Sequence, residues 1–298
     1  MSAPPSDAAR ARAGLIAAIS ACGMWGLSPF FFIAIAAVPP HEVVAHRIVW
    51  SALAIGLVLA WRGQLAEVVA LLLRPRTLAV FVGSALSVTL NWLVFVHAVT
   101  SGQTLYASLG YYVLPLVNVL LGAVFLKERF TRRQGLALGL VVVGVAVLVI
   151  GLGRVPWITL ALATSFAAYG LLRKIAPAES LVGLFIETLL TLPFALAFLV
   201  WVSHTGGAFL PGEDLFLPAM LLLGTPLVTA VPLFLYTFGA RRLRLSTMGL
   251  VFYLNPTIQF VVATVFLRET FTAAHAVTFA LIWLGIAVYS WPRRGFAR

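Results

Sequence analysis

Only one cysteine, Cys22, occurs in the 298 residues, so neither a disulfide framework nor a cysteine-built metal cluster is available. The five histidines are scattered without ligand spacing, and no metal or other cofactor is expected. Acidic residues number nine, and the two aspartates, Asp7 and Asp214, fall outside every apolar run. No Gly-x-x-x-x-Gly-Lys-Ser/Thr phosphate loop is present, which removes ATP as an energy source within this chain. Paired intramembrane aspartates, a His-x-x-x-Glu pair and a Gly-x-Ser-x-Gly nucleophile turn are missing too. These absences argue against an intramembrane enzyme.

What the chain has is apolar bulk. Hydrophobic residues make up 62%, charged residues 10%, and the mean hydropathy is +1.05. A water-soluble domain of this length cannot hide that much apolar surface, because close to half of any fold faces solvent. A bilayer as the outer medium removes the difficulty. A span needs roughly 20 mostly apolar residues. Apolar runs and their charged or Pro/Gly punctuation predict ten spans, near 14–37, 44–61, 78–99, 104–126, 133–152, 156–172, 181–203, 216–238, 246–267 and 273–291. The expected fold class is an all-α integral membrane protein. Arg10 and Arg12 precede a run from Ala13 to Val38, which is too long for a signal-peptide core and reads as an uncleaved first span.

The net charge of +11 raises the question of nucleic acid, and its distribution answers it. With ten spans, 17 of the 20 Lys and Arg residues share one side with both termini. The exceptions are Arg47, Arg154 and Arg268. The positive-inside rule then places both termini in the cytoplasm. The basic loops meet anionic lipid of the inner leaflet, and no nucleic-acid partner is expected.

Sliding the chain by 141 residues reveals a repeat. Leu109-Gly110-Tyr111-Tyr112-Val113-Leu114-Pro115 falls over Leu250-Val251-Phe252-Tyr253-Leu254-Asn255-Pro256, and Val124-Phe125-Leu126-Lys127-Glu128-Arg129-Phe130-Thr131 over Val265-Phe266-Leu267-Arg268-Glu269-Thr270-Phe271-Thr272. Trp25-Gly26 and Tyr169-Gly170 occupy similar places in the first helix of each half. Five spans is an odd number, so the second half enters from the opposite face. The expected organisation is a tail at 1–12, five-helix repeats at 13–152 and 153–292, and a tail at 293–298. Inverted repeats recur in secondary transporters, with the substrate site near the midplane between halves. Thr131-Arg132-Arg133-Gln134 reads as a capping box for span five. Thr272 can cap span ten, but without a Gln three residues on. Glu128 and Glu269 lie near those helix starts, where negative charge is favoured.

In lipid a polar side chain must face protein or water. Tyr111, Pro115 and Asn118 share one face of span four, and Phe252, Pro256 and Gln259 share the repeat-equivalent face of span nine. Either the two stripes line a central cavity, or they are ordinary packing with proline kinks. Ser84, Ser87 and Asn91 share a face of span three, followed by Trp92; Thr225, Thr229, Pro232 and Tyr236 mark span eight. The one carboxylate deep within a span is Glu187, a candidate for proton or cation binding, with hydroxyl satisfaction as the alternative. Arg47, near the external end of span two, either binds an anionic group or snorkels to the surface. Trp25 and Tyr253 complete the candidates for a cavity lining.

Several strings resemble one family: Trp25-Gly26, His46-Arg47-Ile48-Val49-Trp50-Ser51, Asn91-Trp92, Ala107-Ser108-Leu109-Gly110-Tyr111, Pro115-Leu116-Val117-Asn118, Ile186-Glu187-Thr188 and Arg242-Leu243-Arg244-Leu245-Ser246-Thr247. The chain resembles RarD-type permeases of the EamA branch of the drug/metabolite transporter superfamily, from about Gly14 to Tyr289. The resemblance implies ten transmembrane helices in two inverted EamA units around a central cavity, in the bacterial inner membrane. One departure is Leu114 before Pro115, where family members often carry Asn; here Asn255 precedes Pro256 instead. The expected function is a secondary permease or facilitator moving a small organic molecule by alternating access. A non-transporting membrane scaffold is the alternative. Monomer and homodimer remain equally open.

Overall fold

The structure is a computed structural model that describes residues 7–126, 131–205, 215–240, 242–243 and 245–290. Among these residues it is helical throughout its regular elements, with no strand. In chain order they are α1 (Asp7–Ala34), α2 (Pro40–Trp61), α3 (Leu65–Leu72), α4 (Pro75–Thr100), α5 (Thr104–Leu126), α6 (Arg132–Leu152), α7 (Trp157–Ile175), α8 (Ser180–His204), α9 (Phe216–Ala219), α10 (Thr225–Ala240), α11 (Leu245–Phe252), α12 (Leu254–Val261) and α13 (Ala273–Ser290). A π-helical turn, Met220–Gly224, joins α9 to α10, and a second, Val262–Phe266, follows α12. The first π turn runs into Pro226, whose missing N–H already breaks the regular ladder.

Among the described residues eight helical stretches are long and apolar enough to cross a bilayer: α1, α2, α4 to α8, and the continuous stretch Phe216–Ala240. Where the ninth and tenth spans were expected, the structure has the shorter apolar stretches Leu250–Phe266 and Ala273–Tyr289. The ninth differs from one straight helix because it breaks at Tyr253. Pro256 has no N–H to offer the carbonyl of Phe252, four residues back. One further helix was not expected. α3 lies where a plain loop was read, and buries Val68 and Leu71 where it meets α4 and α8.

The packing partners are long-range. α1 lies against α10 and α12, α7 against α4 and α5, α2 against α8, and α6 against α13. Glycine makes two of these approaches close. A Cβ on Gly239 would sit 2.8 Å from the Gly14 carbonyl oxygen, and one on Gly151 would sit 2.5 Å from the Ala274 Cβ. Small residues at helix crossings are the usual means of bringing backbones together in lipid. The outward surface is apolar: Leu57, Phe125, Val142, Ile150 and Phe194 are exposed on four different helices. In water such a surface would be a liability.

Two helix starts carry the expected threonine. Thr131 accepts the Gln134 amide and Gln134 accepts the Thr131 amide, a complete capping box for α6. At α13, His275 Nδ1 takes the part of the absent glutamine, accepting the Thr272 N–H at 3.2 Å. Glu128 lies outside the described residues. Glu269 does not serve its own helix. Its two carboxylate oxygens accept the N–H groups of Thr104 and Leu105 at 2.7 and 2.8 Å, so the second half caps α5 of the first. Arg268, next to it, is held at φ 54°, a left-handed conformation that costs a non-glycine residue about 1 kcal/mol. Replacing Glu269 by Ala strands two amides at the start of α5. The expected loss is roughly 1–2 kcal/mol, read as a lower thermal midpoint in detergent. An unchanged midpoint would show that water caps α5 equally well.

Candidate functional site

A cavity of about 110 Å³ opens between helices of both halves of the chain. Its wall takes Trp25, Ser28 and Phe32 from α1, Arg47 from α2, and Val88, Asn91, Trp92 and Phe95 from α4. Tyr111 comes from α5, Phe166 and Tyr169 from α7, and Leu184 from α8. Val228, Thr229 and Leu233 of α10, Phe252 of α11, and Asn255 and Gln259 of α12 complete it. Aromatic rings run in a chain through this wall: Phe32 meets Phe95, Phe95 meets Tyr111, Tyr111 meets Phe166, and Phe166 meets Tyr169.

Arg47 does not reach the surface; it is only 7% exposed. Its Nε–H donates to Thr229 Oγ1 at 2.7 Å, and its guanidinium lies 4.2 Å from the centre of the Trp92 ring. The hydroxyl it uses is itself tied back, since Thr229 donates to the Thr225 carbonyl. The flat guanidinium is therefore oriented by an aromatic face and one hydrogen bond.

Glu187 sits one layer behind the wall. Ser84 donates to its Oε1 at 2.7 Å, Arg173 Nε lies 3.7 Å from the same oxygen, and the Tyr169 hydroxyl donates to Oε2 at 3.4 Å. Arg173 Nη2 donates to the Glu179 carbonyl across the short turn between α7 and α8. Tyr169 lines the cavity and touches Glu187, so one hydroxyl separates the carboxylate from the cavity. Arg47 and Glu187 do not meet; each has its own partners.

The amides are braced. Asn91 gives its N–H groups to the Leu162 carbonyl and Ser165 Oγ of α7, and its oxygen accepts the Tyr111 hydroxyl. Gln259 donates to Asn255 Oδ1 at 2.9 Å and reaches the Trp25 carbonyl at 3.5 Å, while its buried Oε1 has no hydrogen-bond partner among the described residues.

Of the sequence candidates, Trp25, Arg47, Asn91, Trp92, Tyr111, Phe252 and Gln259 share the cavity wall. Pro115, Asn118, Tyr253 and Pro256 are not part of it. Tyr253 stacks on Tyr112 instead, at 6.2 Å, and Pro256 offers its carbonyl to Ser108 Oγ at 2.8 Å. Asn118 faces α7 near Gly170.

Comparison with known proteins fits this geometry. The sequence pattern of the EamA-like transporter family matches residues 12–150. The chain is 39% identical over 288 residues to a protein of Vibrio cholerae named "Uncharacterized transporter", covering 95% of this chain and 94% of that one. It is 38% identical over 283 residues to "Protein RarD" of Escherichia coli K12, covering 95% of each. The chain belongs to the EamA-like transporter family. It is a multi-pass membrane transporter of the drug/metabolite type, close to the RarD proteins. Another relative, 34% identical over 254 residues, is the "Chloramphenicol-sensitive protein RarD" of Pseudomonas aeruginosa. A solved structure 19% identical to this chain shares the fold, with a TM-score of 0.55 over 93% of this chain and 96% of that one.

The sequence reading missed several wall residues, Phe32, Phe95 and Phe166 among them, and three polar residues of this EamA protein's site that it had noted for other reasons. Arg173 counted only as a positive loop charge, Tyr169 only as a repeat mark, and Asn255 only as a family-like residue before proline. Tyr169 and Arg173 stand at i and i+4 on α7, so both reach the same neighbour. That spacing was the available signal. The Arg173–Glu187 pair gives a direct test. Arg173→Met strands a buried carboxylate and is expected to lower stability by roughly 3–5 kcal/mol in chemical unfolding. Adding Glu187→Gln is expected to restore much of it. Equal losses in the single and double variants would show that the two charges are uncoupled.

Proposed function

We propose that this chain is a secondary permease moving a small organic solute across the bacterial inner membrane by alternating access. In this reading ten helices form two inverted five-helix repeats, 13–152 and 153–292, with tails at 1–12 and 293–298 on the cytoplasmic side. The central cavity is the substrate site.

The observation that carries the reading is the exchange symmetry of the packing. Pair α1 with α7, α2 with α8, α4 with Phe216–Ala240, α5 with α11–α12, and α6 with α13. Under that exchange the α1–α10 contact becomes α7–α4, α1–α12 becomes α7–α5, and α2–α10 becomes α8–α4. The α2–α8, α5–α12 and α6–α13 contacts map onto themselves. Such an arrangement supports two states of similar energy, one open to each side.

Proton coupling is assigned to Glu187, with Tyr169 as its link to the cavity. A solute found by thermal-stabilisation screening, followed in proteoliposomes under an imposed pH gradient, tests both parts. Uptake is expected to follow the gradient in the native protein and to lose that response in Glu187→Gln. Uptake indifferent to pH and unchanged in the variant would remove the coupling role. Single cysteines at Tyr111 and Phe252 in a Cys22→Ser background are expected to change their labelling from either side when that solute is present. Labelling blind to ligand would favour a scaffold.

A further inference from the structure

The two halves place opposite charges at matching positions. Arg47 stands seven residues past the first residue of α2, Pro40, and Glu187 seven past the first residue of α8, Ser180. Each bonds a hydroxyl on the counterpart helix of the other half: Arg47 to Thr229, Glu187 to Ser84. Their charge balance differs. Glu187 has Arg173 from α7. The counterpart of α7 is α1, which carries no charged residue from Ala13 to Ala34. Among the described residues no carboxylate lies within ion-pair distance of Arg47.

Nor are its donors used up. Nε bonds Thr229, and neither Nη atom has a hydrogen-bond partner among the described residues or lies among the sealed, unsatisfied buried atoms. The fork of two parallel N–H groups therefore opens on the cavity, backed by the Trp92 ring. A buried cation without a counter-ion is costly in a mostly apolar enclosure, and an entering anion relieves it.

We propose that the cavity selects a small organic carboxylate with an aromatic or branched apolar body, held bidentately by the two Nη atoms of Arg47. This rests on the permease reading and names its substrate class. A planar fork with its Nε already spent matches two carboxylate oxygens end-on. The apolar body packs on the Phe95, Phe166 and Phe252 rings.

The test uses the full-length protein in detergent and matched probes: benzoate, phenylacetate and 3-phenylpropanoate, their neutral amides, and 3-phenylpropylamine. Binding is read by thermal shift and by calorimetry. At least one carboxylate is expected to bind while its amide and the amine do not. Arg47→Gln is expected to weaken that carboxylate about tenfold or more, and Arg47→Lys, which keeps charge but loses the fork, to fall between. Amides binding as well as acids, preference for the amine, unchanged affinity in Arg47→Gln, or no binding by any carboxylate would overturn the proposal. The native-protein comparison of acid with amide stands even where a variant fails to fold. Proteoliposome counterflow separates the two readings. Transport of a neutral or cationic solute that survives Arg47→Gln ends the anion proposal and leaves the permease. Carboxylate binding without movement does the reverse.

Discussion

Inside hydrocarbon a charged side chain persists only where another helix gives it a partner, and this constraint organises the whole bundle. Arg47 and Glu187 each commit to a hydroxyl on a distant helix, α10 and α4 respectively. Those commitments tie the first half of the chain to the second on both sides of the cavity. Asn91 adds a third tie by giving its amide hydrogens to α7. The cavity is thus bounded by residues whose polar groups hold the helices together, and its remaining wall is aromatic and aliphatic.

The pairing also explains why the proposed halves are not interchangeable in function. Glu187 is neutralised within the chain by Arg173, and is screened from the cavity by Tyr169. Among the described residues Arg47 has no such neutraliser, and it faces the cavity directly. One charge is therefore suited to exchange a proton through a hydroxyl, and the other to meet a solute. Glu269 supplies a further bond between the halves, away from the cavity, by closing the start of α5. A bond of this kind at the end of a helix can break without unfolding it, as a rocking transition requires.

Much of the fold was legible because lipid makes sequence patterns simple. Long apolar runs between charges gave the helices α2 and α4 to α8 to within a few residues, while α1 begins at Asp7, seven residues ahead of the expected span and inside the expected tail; Thr131 with Gln134 gave the start of α6. α3 was hidden because eight residues between Gly63 and Arg74 carry too short a pattern to distinguish a helix from a loop. Pro256 announced a kink in span nine, while the position of the break at Tyr253 depends on packing. In the site, helical faces separated neighbours that the sequence could only name together. Phe252 faces the cavity and Tyr253, one residue on, faces Tyr112. Tyr111 lines the wall, whereas Pro115 and Asn118 lie further along α5. The partner of Glu187 was missed because Arg173 ends a helix and looked like a loop charge.

The central claim is that two copies of one five-helix unit lie in a bilayer in opposite senses. Its most direct test is sided labelling of single cysteines at the repeat-equivalent positions Arg133 and Ala274 in intact and in opened cells. Impermeant reagent is expected to reach 274 from outside and 133 only after the cytoplasm is opened. Both positions labelling from the same side would contradict the account.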